Sequence, residues 1–401
     1  MSRDGAPQSA YGRPRLSHNA ALTEVGPGTP AGELLRRYWQ PVGLSADVGN
    51  RPERVRVVGE DLILFRDGHG RVGLVDEPCA HRGTSLYYGR VESEGLRCCY
   101  HGWLYDVEGR CLDQPCEPPQ SAYKDKVRQP WYPCREYNGL VFAYLGPLER
   151  IPIFPLYDLI EDGEGLVVAD GTSYGLGGST ILDCNWLQIF ENVMDPFHVF
   201  VLHSTFSGQQ FSSAMTVRPE ITWELTERGM RSTQDRALGE GRLFRRTTEV
   251  LVPNIRIVPS VAAGEREGFE RSGHIGWVLP VDDTHTRMYS LLRVPFMEGE
   301  AVMPPRASHA GKLWAELSED EHQDMPGDAE AMVSQGPIAI HAREHLATSD
   351  RGVIMLRKFL GQQIDAVRRG EDPVGILRDP AHDLIATTAG NAMVRASTGS
   401  V

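Results

Sequence analysis

Residues 79–103 read CAHRGTSLYYGRVESEGLRCCYHGW, and this stretch decides what the N-terminal part of the chain is built around. Cys79-Ala-His81 is followed, after residues 82–97, by Cys98-Cys-Tyr-His101. Two cysteines and two histidines on two loops can give four soft or borderline ligands to one centre. Only one of Cys98 and Cys99 can serve, because neighbours on an extended chain point to opposite faces. Two centres fit the residue types. A structural zinc would take all four on one ion. A [2Fe–2S] cluster would take both cysteines on one iron and both histidines on the other. Zinc fingers of the form C-x2-C…H-x3–5-H group like ligands together, whereas here each loop supplies one of each kind. That mixed order suits a cluster in which each iron takes one ligand from each loop.

Working outward, the runs RVRVVGEDLILFRD, GRVGLVDEPC, GLRCCYHGWLYD and NGLVFAYLG alternate in polarity. Turns at Asp67-Gly68, Gly70 and Glu108-Gly109 break them, which predicts an all-β module over 46–148. Residues 1–20, rich in Ser, Gly, Pro and Arg, are expected to form a mobile tail. Residues 21–45 hold GPGTPAGELLRRYWQPV, a predicted helical segment with Thr29 as N-cap, Pro30 in the first position and closure at Pro41. This segment is expected to pack on the second domain, which spans 149–401. In that domain NWLQIFENVMDPFHVFVLH (185–203) predicts a helix, residues 215–296 predict strands, and 309–322 and 338–369 return to helical patterns. The expected fold class is α+β, an all-β domain followed by a central antiparallel sheet covered by helices.

The 185–203 helix carries Asn192, Asp195, His198 and His203. Two histidines with nearby carboxylates are part of the two-histidine, one-carboxylate set that leaves positions open on Fe(II). On a regular helix, residues i and i+5 diverge by roughly 140° around the axis. The helix is therefore expected to widen or break, and Pro196 supplies a reason. A third, distant carboxylate is needed, and Asp320, Asp324, Asp328 and Glu330 are available.

Composition bounds the rest. The chain has 401 residues, 41% hydrophobic and 24% charged, enough for roughly two to three domains. A net charge of −13 argues against nucleic acid or an anionic membrane as partner. The N-terminus lacks an apolar h-region, and no run of about 18 apolar residues occurs, so a cytoplasmic protein is expected. Seven cysteines, five of them within 79–116, speak for metal binding over a disulfide framework. The cysteines outside the ligand set (the spare one of Cys98 and Cys99, with Cys111, Cys116, Cys134 and Cys184) are expected to pack as small hydrophobes. No C-x4-C-x2-C ferredoxin run and no G-x-G-x-x-G opening a βαβ unit is present, so electrons must come from another protein.

With CAHRG at 79–83, CYHGW at 99–103 preceded by Cys98, and N-x2-D-x2-H-x4-H at 192–203, the chain resembles a known family. It is similar to the α (oxygenase) subunits of the Rieske non-haem iron ring-hydroxylating oxygenases, and looks closest to the phthalate 4,5-dioxygenase-like branch. The resemblance covers roughly residues 22–360. It implies one Rieske [2Fe–2S] cluster on Cys79, His81, Cys98 and His101, with Cys99 a buried bystander. Gly83 and Gly102 would let backbone N–H groups approach the sulfides. It implies one mononuclear Fe(II) on His198 and His203 in a helix-grip catalytic domain. The segment PGDAEAMVSQGPI selects Asp328 as third ligand, with Asp324 the runner-up. Asp195 is implied to bond a mononuclear-site histidine and, across a subunit boundary, a Rieske histidine. Asn192 is implied to sit near the iron without bonding it.

The family likeness further implies O2 as co-substrate and a separate flavin and iron–sulfur reductase drawing on NAD(P)H. It implies a head-to-tail homotrimer, since the two sites of one subunit would be too far apart. The activity implied is hydroxylation, dihydroxylation or O-demethylation of an aromatic or related cyclic small molecule. The alternatives are a Rieske-type electron carrier and a zinc-stabilised binding protein. The first leaves about 250 residues after the β module without a purpose, and the second leaves NVMDPFHVFVLH without one.

Overall fold

The computed structural model describes residues 16–172, 181–206, 211–260, 268–297, 300–301 and 312–395. Most of the expected mobile tail (1–15) and the start of the 309–322 helix (309–311) lie outside the described residues.

Two short helices, α1 (Ala20–Thr23) and α2 (Pro30–Leu35), open the chain. Thr29 and Pro30 begin α2 as expected, but the helix ends at Leu35 and not at Pro41. The reason is that WQPVGL, mostly buried, is already a strand, β1 (Trp39–Leu44). Ten more short strands follow: β2 (Glu53–Val57), β3 (Glu60–Arg66), β4 (Val72–Asp76), β5 (Arg90–Glu92), β6 (Gly95–Arg97), β7 (Leu104–Tyr105), β8 (Cys111–Asp113), β9 (Trp131–Tyr132), β10 (Cys134–Tyr137) and β11 (Leu140–Tyr144). They form three antiparallel sheets, ordered β1-β11-β10, β2-β3-β4-β9 and β5-β6-β7-β8. One device closes two of the hairpins. The Asp67 carboxylate accepts from the N–H of His69 and Arg71 between β3 and β4, and Asp106 accepts from Glu108 and Arg110 between β7 and β8. The sheets enclose a small core of Ile63, Phe65, Val75, Leu86, Leu96 and Trp103, into which Cys79 and Cys98 project.

The second half is built on one antiparallel sheet. Its strands are β13 (Leu166–Asp170), β14 (Glu220–Leu225), β15 (Gly229–Gly239), β16 (Arg242–Leu251), β17 (Ile255–Ile257), β18 (Gly268–Arg271), β19 (His274–Pro280), β20 (Thr286–Val294) and β24 (Gly390–Arg395). The order is β13-β20-β19-β17-β16-β15-β14, with β24 pairing both β16 and β18. Two small pairs stand apart: β12 (Leu156–Tyr157) with β23 (Leu384–Ile385), and β21 (Phe296–Met297) with β22 (Glu300–Ala301). The helices of this half are α3 (Asp158–Glu161), α4 (Trp186–Asn192), α5 (Phe197–Val201), α6 (Glu319–Asp324), α7 (Asp328–Val333) and α8 (Arg351–Arg368). Trp186 and Phe190 of α4, Leu356 and Leu360 of α8, and Trp277 and Met288 of the sheet belong to one buried core. Among the described residues no helix is long and apolar enough to cross a membrane.

Further expectations for helices change. The pattern at 309–322 becomes α-helix only from Glu319, after a 3₁₀ turn at Trp314–Glu316. Residues 185–203 are not one helix: α4 stops at Asn192, Pro196 caps α5, and α5 opens into a π-helical turn at Leu202–Phe206. The predicted break and widening are both present. The pattern at 338–369 becomes helix only from Arg351, because the charged stretch HAREHLATSD has no apolar face to bury and forms short 3₁₀ turns.

The halves are tied by named bonds. The N–H groups of Val58 and Gly59 donate to the carbonyls of Pro280 and Val281, hooking the β2–β3 turn onto the end of β19. The buried Asn185 caps α4 through Leu187 N–H while its amide donates to Thr23 and Asp283 carbonyls. At the N-terminus of α8, Trp223 Nε1–H donates to the Met194 carbonyl at 3.1 Å. A Cβ on Gly352 would lie 2.1 Å from that oxygen and 2.2 Å from the indole nitrogen. Gly352→Ala is therefore expected to force the 193–196 turn off α8 and cost roughly 1–3 kcal/mol. A thermal unfolding midpoint equal to wild type would contradict this.

Candidate metal centres

The two loops of the β module adopt one conformation twice. In the first, Cys79 N–H donates to Thr84 O and Cys79 O accepts from Gly83 N–H; in the second, Cys98 N–H donates to Trp103 O and Cys98 O accepts from Gly102 N–H. Gly83 and Gly102 have φ of 74° and 73°, a left-handed backbone that side chains disfavour. The sequence reading gave these N–H groups to sulfides; they are spent instead on the cysteine carbonyls, and the glycines serve to close the turns. Cys79 and Cys98 are 3% and 4% exposed and lie side by side. Burial, then the neighbouring Cys79 thiol, push the Cys98 thiol up, so Cys98 ionises readily only against a cation. His81 and His101 have ring centroids 4.6 Å apart, and His81 stacks on Trp103 at 4.2 Å. Burial, then His101 and Arg82, depress the His81 pKa and favour the neutral, ligating imidazole.

These four residues fit a two-iron cluster better than a single ion. Zinc–ligand bonds of about 2.0–2.3 Å would draw all four donors to within about 4 Å of one another. Yet among the described residues the only set of three or more metal-ligating donors converging within 4.8 Å lies elsewhere. Two side chains that the sequence reading did not single out support the loops. Tyr105, fully buried, has its hydroxyl 3.2 Å from Cys79 Sγ. Gln129, also fully buried, accepts from Ala80 N–H and donates to the carbonyls of Asp76 and Pro78, fixing the first loop from three sides. Nothing local marks either: alternation counted from the inward-facing Cys98 would turn Tyr105 to the other face, and Gln129 lies outside both loops.

Cys99 does not point into a core. It is exposed, as is Cys116, so the packing role expected for these two is corrected; Cys111 and Cys184 are buried, and Cys134 is partly so. The core side of the strand is already filled by Cys98, Trp103 and Tyr105.

The set that does converge is His198, His203 and Asp328. His203 Nε2 lies 3.1 Å, and His198 Nε2 3.4 Å, from the same Asp328 oxygen, Oδ1. The π-helical turn at Leu202–Phe206 turns His203 back toward His198, and their rings sit 5.6 Å apart. Asp328 occupies the first turn of α7, where the helix N-terminus favours a carboxylate. Its burial alone would raise the pKa, but the His198 charge, the His203 hydrogen bond and charge, and Arg256 pull it below the usual carboxylate range. Asp320 and Asp324 are exposed. Glu330 is committed elsewhere, accepting from Trp314 Nε1–H and Gly327 N–H and meeting His322 Nδ1.

His198 Nδ1–H donates to the main-chain carbonyl of Asp195, which leaves Nε2 facing Asp328. The Asp195 carboxylate stands 3.9 Å from that Nδ1 and accepts from Phe197 N–H, with about a third of the side chain exposed. Burial, before any other influence, raises its pKa. Asn192 ends α4, and its carbonyl accepts from Asp195 N–H. One further residue escaped the sequence reading. Gln188, buried in α4, donates to the carbonyls of Met332 and Gly336 and accepts from Ala339 N–H, tying the carboxylate helix α7 to the helix preceding the histidines.

The Rieske [2Fe-2S] domain family matches residues 38–130. The chain is 47% identical to the phenoxybenzoate dioxygenase subunit alpha of Ectopseudomonas oleovorans, over 96% of this chain and 93% of that protein. It is 31% identical to the phthalate 4,5-dioxygenase oxygenase subunit of Pseudomonas putida, over 89% and 88% of the two chains. Among solved structures it is similar to NdmA of Pseudomonas putida CBB5 with caffeine, with a TM-score of 0.62 at 20% identity, over 88% of this chain and 99% of that one.

Two substitutions test the loop assignment. Cys98→Ser is expected to bleach the visible absorbance of the cluster, and Cys99→Ser to leave it intact; the reverse would mean that the loop's register has been misassigned. Gln188→Ala is expected to lower mononuclear iron occupancy about 10-fold or more at unchanged cluster content, by metal analysis; unchanged occupancy would remove Gln188 from the support of Asp328.

Proposed function

Because the chain belongs to the Rieske non-haem iron oxygenases, as an oxygenase subunit of the phthalate 4,5-dioxygenase-like branch, we propose specific roles for the residues just described. It is a terminal oxygenase component, a Rieske-type oxidoreductase that acts with O2 and with electrons from a separate reductase. Its substrate is a small aromatic molecule. Our reading is that Cys79, His81, Cys98 and His101 hold the [2Fe–2S] cluster, and that His198, His203 and Asp328 hold the mononuclear iron. The observation that carries it is the convergence of His198 of α5, His203 of the π-helical turn and Asp328 of α7, in the same chain as two matching Cys/His loops. When bound, the cluster supplies single electrons and the mononuclear iron supplies O2 activation.

The protein's own groups set the conditions. The carbonyl of Asp195 fixes the His198 tautomer, so that Nε2 is the free donor. Asp328 contributes a negative charge that stays ionised, since two imidazoles and Arg256 stabilise it. The partly exposed Asp195 carboxylate is proposed to bridge to a Rieske histidine of a neighbouring copy in a head-to-tail homotrimer. Partial exposure of His81 and His101 is consistent with such a contact. The reductase is proposed to be a flavin and iron–sulfur protein using NAD(P)H, and the protein to be cytoplasmic. The reaction is proposed to be hydroxylation, dihydroxylation or O-demethylation of the ring substrate.

Two variants test these roles. His198→Ala is expected to keep the cluster's colour and EPR signal while product labelling from ¹⁸O₂ disappears; persisting label would contradict the assignment. Asp195→Ala is expected to keep both metals yet slow oxidation of the pre-reduced cluster, with substrate and O2 present, by roughly 10- to 100-fold. Oxidation at the wild-type rate would remove Asp195 from the electron path.

A further inference from the structure

The catalytic sheet bears a cavity on the face turned away from the iron-site residues. Register pairs Val250 with Arg256 and Leu251 with Ile255, so the two pairs point to opposite faces. Arg256 lies on the side of Asp328, whose carboxylate feels its charge. Leu251 and Ile255 line the cavity on the other side. The start of β1, the crossover at 152–157, the segment at 375–377 and β23 complete its walls. It encloses about 450 Å³ of unoccupied space, part of it open to solvent, so an occupant is limited to a short chain or a single ring.

The walls are mostly apolar, with Ile153, Leu251, Ile255 and Ile385 among them, and Tyr38, Trp39, Tyr157 and Arg228 bring polar groups. Two of these groups are spent elsewhere. The Tyr38 hydroxyl donates to the Val374 carbonyl at 2.6 Å, and Trp39 Nε1–H donates to the Pro152 carbonyl at 3.0 Å. The other two are not spent. Tyr157 is 2% exposed, its ring set edge-on to Trp277, and its hydroxyl has no hydrogen-bond partner among the described residues. Arg228 bonds through its main chain to Thr226 and Val252, while its guanidinium makes no hydrogen bond or ion pair with the described residues. These two groups lie near each other: burial pushes the Tyr157 pKa up, and Arg228 is the charge that pulls it back. Asp372, the carboxylate that acts on Tyr38, is held through both oxygens by Arg378, with Arg150 at 3.7 Å.

A buried hydroxyl left without a partner is costly, and here it stands beside a cation above an apolar wall. We propose that this cavity is a second ligand site, separate from the iron site, that takes a small organic monocarboxylate. The carboxylate accepts from the Tyr157 hydroxyl and the Arg228 guanidinium, and a short acyl chain or single ring lies along Ile153, Leu251 and Ile255. A guanidinium and a hydroxyl together suit a carboxylate in charge and geometry. Water alone serves the hydroxyl but leaves the apolar wall wet. The site stands independently of the oxygenase reading.

The test is anaerobic calorimetric titration of the purified holoprotein, wild type, Arg228→Gln and Tyr157→Phe. The probes are butyrate, hexanoate and benzoate with their primary amides. At least one acid is expected to bind wild type about 10-fold or more tightly than its amide. Arg228→Gln is expected to erase that preference, and Tyr157→Phe to weaken the acid about 3- to 10-fold. Because the Tyr157 hydroxyl holds nothing in the free protein, Tyr157→Phe should unfold without ligand at the wild-type temperature or above it. An acid bound at the iron site instead keeps its affinity in both variants, since Arg228 and Tyr157 line the opposite face. No binding of any acid, no preference over the amide, unchanged affinity in either variant, or a lower unfolding temperature for Tyr157→Phe overturns the proposal.

Discussion

Two imidazoles five residues apart on a regular helix point roughly 140° away from each other. The second half of this protein is arranged around removing that divergence. The turn at 193–196 lets α5 start afresh at Pro196, and the π-helical turn at Leu202–Phe206 widens the backbone where His203 must swing back. Both departures weaken local helix bonding, so neighbours have to hold them. Trp223 anchors the Met194 carbonyl, Gly352 leaves room for that contact, and Arg357 bonds both oxygens of Glu191 just before the break. Gln188 then fixes α7, and with it Asp328, to the same helix.

The first centre solves a different problem by duplication. Each loop presents one cysteine and one histidine from the same hydrogen-bonded turn, so two loops of equal shape face each other across the donors. The thiols lie inside the small core while the imidazoles stay partly accessible. On the proposed roles, that orientation puts the histidine side toward the neighbouring copy's Asp195. The geometry of the second centre is complementary: Asp195 keeps part of its carboxylate at the surface while its carbonyl engages His198.

Much of this was legible in the chain. The all-β module, the paired Cys/His loops and the strained helix follow from spacing and periodicity, and the proposed ligands Cys98, His198, His203 and Asp328 were singled out by family likeness, because each depends on residues close in sequence or on a distinctive motif. The supports were not legible. Gln188 meets Met332 and Gly336, Gln129 meets Asp76 and Pro78, and Gly352 meets Met194; each pairing is long-range, and no local pattern distinguishes these residues from ordinary ones. The strand β24 was missed for a similar reason, since GNAMVR becomes a strand by pairing with β16 and β18. Cys99 was misjudged because alternation says which way a side chain points, and not whether anything covers that side.

The central claim is that one chain holds two separate iron sites on two separate residue sets. Mössbauer spectroscopy of the reduced, iron-57-enriched protein tests it most directly. The account predicts a Rieske-type pair together with a high-spin ferrous signal of half its area, and in Asp328→Ala the pair alone. Loss of the pair in that variant, or a wild-type spectrum without the second ferrous signal, would contradict it.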